Sequence, residues 1–305
     1  MISFLLRRLA WMALTLWIVF TVTFFLMRAV PGGPLQDDRR MPAEVLRNIE
    51  ARYQLDRPLY EQYFTNLWRT LQLDFGPSFK LADFSVNDVI RQGFPVSATL
   101  GILALIIALA VGLSAGIASA VWRQTWIDAT VMAIATLGIA VPNFVLAGGF
   151  LLVFVFTLNL FPVAGWGTLG HVALPAMCLA APFAAYIARL TRTGMLEVLS
   201  QDYIRTAYAK GLPKKHVILR HALRGALLPV VSYLGPATAG ILTGSLVLEQ
   251  IFAIPGMGTH FIESAKTRDY TLAMGMVLVY TAILYTANTL VDLSYRLIDP
   301  RVKLE

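Results

Sequence analysis

Residues 202–229 read Asp202-Tyr-Ile-Arg-Thr-Ala-Tyr-Ala-Lys-Gly211-Leu-Pro-Lys-Lys-His-Val-Ile-Leu-Arg-His-Ala-Leu-Arg-Gly-Ala-Leu-Leu-Pro229. Helical periodicity runs over Met195–Lys210. Gly211 then supplies a residue that accepts the left-handed conformation and ends the helix. Lys210 sits at the negative end of the helix dipole. Pro213 suits the first turn of a new helix, which Lys214, Lys215, Arg220 and Arg224 make basic. The spacing predicts a tight helix-turn-helix with a charged outer surface. Most of the remaining chain is apolar enough to sit in hydrocarbon, and this stretch is not. A folded, charged element held on one side of a membrane offers surface to a partner. The plainer alternative is a basic loop that only sets topology, but a disordered anchor has no need of regular helix spacing and a Gly-Leu-Pro break.

Working outward, the chain has 305 residues, 57% apolar and 14% charged, where soluble globular proteins carry about 25% charged residues. The net charge of +7 does not indicate nucleic acid, because the basic residues flank apolar runs instead of decorating a soluble core. Five uncharged runs organise the chain: Leu9–Met27, Gln92–Trp122, Ala129–Ala188, Gly225–Leu248 and Tyr270–Val291. One span needs about 20 apolar residues. Ala129–Ala188 is too long for one and contains turn material in Phe161–Gly170, so it is read as two helices. The expected fold is an all-α membrane protein with six transmembrane helices. The Leu, Ile, Phe and Val residues of Leu9–Met27 together favour insertion by roughly 3–6 kcal/mol, with no charge to oppose them. The run also exceeds the usual signal-peptide core, so a retained helix is expected. Lys and Arg counts in the short loops place both termini and the 202–229 segment in the cytoplasm, together with Arg7, Arg8, Arg123, Arg296, Arg301 and Lys303.

Arg28–Arg91 is then the one sizeable region on the outer side. It opens on the turn residues Pro31-Gly-Gly-Pro34. Val45, Ile49 and Tyr53, and then Leu59, Tyr63, Leu67 and Leu71, recur at i+4 and suit short amphipathic helices, the second starting near Asp56. Asp74–Phe79 reads as a turn. This insertion is either a cap packed on the membrane domain or a docking surface for an external partner. Ala108, Gly112, Gly116 and Ala120 form a row of small residues, as do Pro236, Gly240 and Gly244, and such rows let helices approach closely in lipid. Pro142, Pro175 and Pro182 are placed to kink or start helices. The stretch Glu249–Gly258, with its Pro255-Gly256 break, is apolar yet too short to span; a re-entrant excursion and an ordinary surface loop both fit.

The catalytic and phosphate-binding motifs G-x-x-x-x-G-K-[ST], G-x-S-x-G and H-E-x-x-H do not occur in the sequence. His216 and His221 are five apart, about 140° around an ideal α-helix, so no shared metal face is expected. The single cysteine, Cys178, excludes an internal disulfide. No charged residue falls in the middle of a run, where proton- or ion-coupled carriers place them. An energy source in another polypeptide is therefore expected.

In these residues the chain resembles the permease subunits of binding-protein-dependent ABC importers. Their cytoplasmic loop carries Glu-Ala-Ala, three residues, Gly, nine residues, then Ile-x-Leu-Pro. Aligned on Gly211, this chain keeps Ala207, Gly211 and Leu223. Tyr203-Ile-Arg-Thr-Ala, Ala-Lys-Gly-Leu-Pro and Leu-Arg-His-Ala-Leu-Arg are similar to the variant loop of peptide-importer permeases. Phe4-Leu-Leu-Arg-Arg8, Met27-Arg-Ala-Val-Pro-Gly32, Asp74-Phe-Gly-Pro-Ser-Phe79, Phe94-Pro-Val-Ser-Ala98 and Ile254-Pro-Gly-Met-Gly258 resemble the B-type subunit of oligopeptide and dipeptide permeases.

The resemblance implies three parts: an N-terminal tail and first helix (1–30), a periplasmic helical insertion (31–95) and an importer core (96–305) with a coupling loop at 195–229. It implies a bacterial inner-membrane location, a second homologous permease subunit as heterodimer partner, two ATPase subunits and a periplasmic peptide-binding protein. The transported solute would be a peptide, with a dipeptide, nickel or another small solute as the alternative, and a non-transporting scaffold further off. ATP and Mg would belong to the ATPase subunits, with no cofactor, metal or catalytic group in this chain. Asp202, Tyr203, Arg205, Ala207, Lys210, Gly211 and Pro213 would form the coupling element, Arg205 and Lys210 by polar contact and Gly211 and Pro213 by shape. Glu249, Pro255 and Gly256 would belong to the outer re-entrant loop.

Overall fold

A computed structural model describes residues 2–29, 55–81, 84–244 and 246–298. The Pro31–Pro34 turn, the Val45/Ile49/Tyr53 pattern and the charges at Arg301 and Lys303 lie outside them. The described residues are almost wholly helical, with an isolated antiparallel bridge between Pro77 and Ser85. In chain order the helices are α1 (Ile2–Ala29), α2 (Leu59–Leu71), α3 (Val86–Val121), α4 (Trp126–Ala140), α5 (Asn143–Phe150, continued by a π-helical stretch Leu151–Thr157) and α6 (Leu169–Leu199). Then come α7 (Asp202–Ala209), α8 (Lys214–His216), a π-helical stretch Val217–Ala222, α9 (Leu223–Ala226), α10 (Leu228–Gly244), α11 (Leu246–Ile251), α12 (Met257–Thr267) and α13 (Tyr270–Ile298).

Among the described residues, five helical segments are long and apolar enough to cross a membrane: Ser3–Ala29, Val86–Val121, Leu169–Leu199, Leu228–Ile251 and Tyr270–Leu293. The expected third span is a bent pair, Trp126–Ala140 and Asn143–Thr157, and counting it as one span gives six. Its two halves are bent by 112°. The break follows from Pro142. That residue has no N–H to continue α4, and it holds Val141 in an extended conformation with φ −88° and ψ 124°. Pro175 and Pro182, by contrast, are taken into the interior of α6.

The chain forms two compact units. One comprises Met1–Ser97 and Pro255–Tyr285, the other Ala98–Ile254 and Thr286–Glu305. In the first, Phe20 and Phe24 of α1 are buried with Met274 and Leu278 of α13, and Tyr63, Leu67 and Phe75 pack on them. The i+4 row of α2 is therefore split: Tyr63 and Leu67 face inward, while Leu59 and Leu71 are exposed. α2 begins at Leu59 behind Pro58, two residues later than Asp56 suggests.

The Asp74–Phe79 turn is stitched to the start of α13 in the same unit. Ser78 donates its hydroxyl to Asp269, and Thr271 donates to the Pro77 carbonyl at 2.7 Å. Asp269 also caps α13 by accepting from the Leu272 N–H at 3.1 Å. Gly76 has φ +85°, a conformation open to glycine at little cost. A second stitch joins two of the stretches quoted for the resemblance: the Met257 N–H donates to the Ser97 hydroxyl at 2.9 Å.

In the second unit α6 is the central element and the most enclosed of the spans. The small-residue row of α3 packs against it. A Cβ on Gly112 would lie 2.7 Å from the Ala184 carbonyl oxygen, and one on Gly116 would lie 2.5 Å from that of Ala188. Glycine is required at both positions because the two backbones touch there. Gly194 meets the Ala226 carbonyl oxygen in the same way, at 2.6 Å.

Candidate functional site

The periodic stretch Met195–Lys210 is two helices, not one. α6 ends at Leu199, Ser200 and Gln201 form the corner, and Asp202 opens α7. No glycine or proline marks this break. It is made by the seat beneath α7. Ile204 and Ala207 are buried in a cluster with Ala120 of α3, Met195 of α6, Val217, Ile218 and Ala222 of the π-helical stretch, and Ala226 of α9. Reaching that seat requires the chain to turn after Leu199.

Below Ala207 the helix ends as the sequence predicts. Gly211 has φ +76°. Its N–H donates to the Tyr208 carbonyl at 2.9 Å, and the Leu212 N–H donates to the Ala207 carbonyl at 3.3 Å. This pair of bonds is the Schellman arrangement, which answers the last carbonyls of the helix. Leu212 packs on the same buried cluster that holds Ala207, the apolar contact that accompanies the motif. Pro213 follows at φ −67° as the residue before α8, and the N–H groups of His216 and Val217 donate to its carbonyl. The result is an elbow fixed by backbone geometry at both ends.

Of the expected site residues, Asp202, Tyr203, Arg205, Lys210, Gly211 and Pro213 come together on the exposed rim of this elbow. Tyr203 is 51% exposed and Tyr208 42%, although both are large and apolar-bodied. Arg205 and Asp202 pair loosely at 3.5 Å in full contact with solvent, which leaves both groups nearly free. Ala207 is the exception. It is buried and seats the helix on the cluster beneath it. Tyr208, which the motif alignment passes over, belongs to the rim as well. Exposed tyrosine and arginine are enriched in protein–protein interfaces generally.

His216 and His221 depart from the α-helical expectation. The intervening backbone is π-helical, and their rings approach to 5.7 Å between centroids. Among the described residues no group of three or more metal-ligating side chains forms.

The remaining candidates lie at the other end of α10. Glu249 is fully buried in α11, and its carbonyl accepts from the Ile254 N–H at 2.8 Å around the turn at Ala253, φ +47°. Pro255 and Gly256 belong to the first unit, where Gly256 precedes α12 in extended backbone. The glycine that close approach demands there is Gly93, whose Cβ would lie 3.0 Å from the Met257 nitrogen.

Comparison with known proteins agrees with this architecture. The model of the family described as "Binding-protein-dependent transport system inner membrane component" matches residues 108–304, and that of "Binding-prot-dependent transport system membrane comp, N-term" matches residues 1–101. The chain is 48% identical over 304 residues to the dipeptide transport system permease protein DppB of Bacillus subtilis (strain 168), covering 100% of this chain and 99% of that one. It is 46% identical over 305 residues to the oligopeptide transport system permease protein OppB of Salmonella typhimurium, covering 99% of this chain and 100% of that one. Among solved structures, an inward-facing form of the MetNI methionine ABC transporter superposes with a TM-score of 0.58 at 16% identity, over 69% of this chain and 96% of that one, a likeness of fold. Helix content, spans, elbow and sequence identity converge: the chain belongs to the family of binding-protein-dependent transport system inner membrane components.

Proposed function

We propose that this chain is a permease subunit of an ATP-driven peptide importer, forming half of the translocation path. A second, homologous permease subunit supplies the other half. Two ATPase subunits, which bind ATP and Mg, grip the elbow at Asp202–Pro213 from the cytoplasm. A periplasmic peptide-binding protein delivers peptide on the outer side. The single observation that carries the mechanism is the elbow itself. Ile204 and Ala207 are locked into the buried cluster, while Tyr203, Arg205 and Tyr208 stand bare. A partner gripping the bare side moves the seat with it, and through the seat α6 and α10. Both termini are cytoplasmic in this reading. The peptide assignment rests on the 48% and 46% identity to the dipeptide and oligopeptide permease proteins.

The test is transport by the complete complex in proteoliposomes with its binding protein. ATP-dependent uptake of labelled di- to pentapeptides is expected, with none of nickel or sugar. ATP-driven uptake of nickel or a sugar without peptide would replace the substrate class. A purified complex lacking any ATPase subunit would favour the scaffold reading.

A further inference from the structure

Asp128 is an acid that the elbow mechanism does not use, and it is 6% exposed. It sits in the first turn of α4, just past the short link from α3. Its carboxylate is saturated by donors from three places. Arg192 of α6 donates through Nε at 2.7 Å and Nη2 at 2.8 Å, a bidentate pair. Ser119, near the end of α3, donates its hydroxyl, and the Gln124 N–H donates at 3.0 Å. Gln124 is held at φ +61°, which turns its N–H toward the carboxylate.

The position of this group matters as much as its bonds. Arg192 lies one turn before Met195, and Ser119 is next to Ala120; Met195 and Ala120 both belong to the buried cluster beneath α7. The ion pair and the elbow seat are thus adjoining layers on the same two helices. Those helices have no slack between them, since α3 and α6 touch at Gly116. The elbow is covalently continuous with α6 on one side and, through α8 and α9, with α10 on the other. It has no such link to α4. Apolar packing, such as that at Gly138, where an added Cβ would lie 3.3 Å from the Cβ of Ala185, is non-directional and lets helices slide. A bidentate guanidinium–carboxylate pair, here with a buried Asp128 carboxylate and a half-buried Arg192, fixes both distance and orientation.

We infer that Asp128 and Arg192 are positioning residues for transport: their ion pair makes α4 move with the elbow, so that a push on α7 reaches the bent third span as well as α6 and α10. This inference rests on the importer reading above. A mere structural staple is the competing role, because buried ion pairs are weak evidence for stability in themselves.

The experiment compares the intact complex carrying wild-type, Asp128→Asn, Arg192→Gln, Arg192→Lys and the double Asp128→Asn/Arg192→Gln chain. Peptide uptake and ATP hydrolysis are measured on the same proteoliposomes and normalised to complex present. The two neutral single variants are expected to assemble and to hydrolyse ATP, with ATP consumed per peptide rising about tenfold, within the usual range of inter-site coupling. Arg192→Lys, which keeps the charge without the fork, is expected to fall between them and wild type. The double variant is expected to stay uncoupled, since removing both charges does not restore directional contact. A ratio unchanged from wild type in the single variants, with both activities falling in proportion to assembled complex, would overturn the inference, as would full recoupling in the double variant. Absence of ATP-driven peptide uptake by the wild-type complex would instead overturn the functional reading on which the inference stands.

Discussion

At the scale of single residues, Gly211 separates shape from contact. A Cβ there meets no atom within 4 Å, yet its φ is +76°. Gly211→Val is therefore penalised by backbone strain of roughly 1–2 kcal/mol, not by a clash. It should leave membrane insertion intact and uncouple ATP hydrolysis from uptake, whereas Gly211→Asn, which tolerates the left-handed region, should retain most uptake. Gly116 behaves oppositely. Gly116→Val places carbon against the Ala188 carbonyl, and overpacking of that kind costs about 1–3 kcal/mol, so a lower melting temperature of the complex is expected. Asp74 offers a pH test in the loop after α2. Burial acts to raise its pKa, but the Gly76 N–H and the Arg69 guanidinium outweigh it and hold the carboxyl below the usual carboxylate range. A depressed pKa means that the contribution to stability is present above the unfolded-state value and is lost as pH falls through the folded one. Hydrogen exchange in residues 74–78 should accordingly stay slow at neutral pH and accelerate only in acid below the usual carboxylate range.

At the scale of elements, α7 has two sides with separable roles. Tyr203→Ala and Arg205→Ala remove exposed groups, so stability should change by no more than about 0.5 kcal/mol while uptake falls. Ile204→Ala empties a buried site, and a loss of about 2–5 kcal/mol is expected, with uptake and assembly failing together. Thermal unfolding and uptake measured on the same preparations would tell these apart. How much of this was legible in the sequence depends on how local each cause is. Gly211 and Pro213 announce the end of α7 and the approach to α8 because turn chemistry is carried by the residues themselves. The corner at Ser200 left no such mark, since it is imposed by a seat assembled from α3, α6 and the stretch after α8. Pro142 was readable as a kink or a start, but the 112° bend was not. The meeting of His216 and His221 was hidden because an ideal α-helical period was applied to backbone that is π-helical. The Asp128–Arg192 pair was the least legible, as its partners are 64 positions apart and neither carries a motif. A lone acid between two uncharged runs was the only trace of it.

At the scale of the whole molecule, the spans and the family resemblance were open to reading because hydrocarbon thickness and a glycine-centred loop constrain sequence directly. The orientation proposed here follows from the distribution of Lys and Arg. With Cys178 replaced by Ala, a cysteine at Gln201 should react with an impermeant thiol reagent in inside-out vesicles and not in right-side-out ones; the reverse pattern would invert the topology. In the proposed mechanism the moving parts of this permease subunit would be the elbow, the central helix α6 and the bent span.

The most direct measurement is cross-linking from the elbow in the assembled, purified complex. A photoreactive residue at position 203 should join this chain to an ATPase subunit, identified by mass, with the yield changing when ATP is bound. An intact complex that gives no such product from positions 203, 205 or 208 would contradict the proposal that the elbow is the element the ATPase grips.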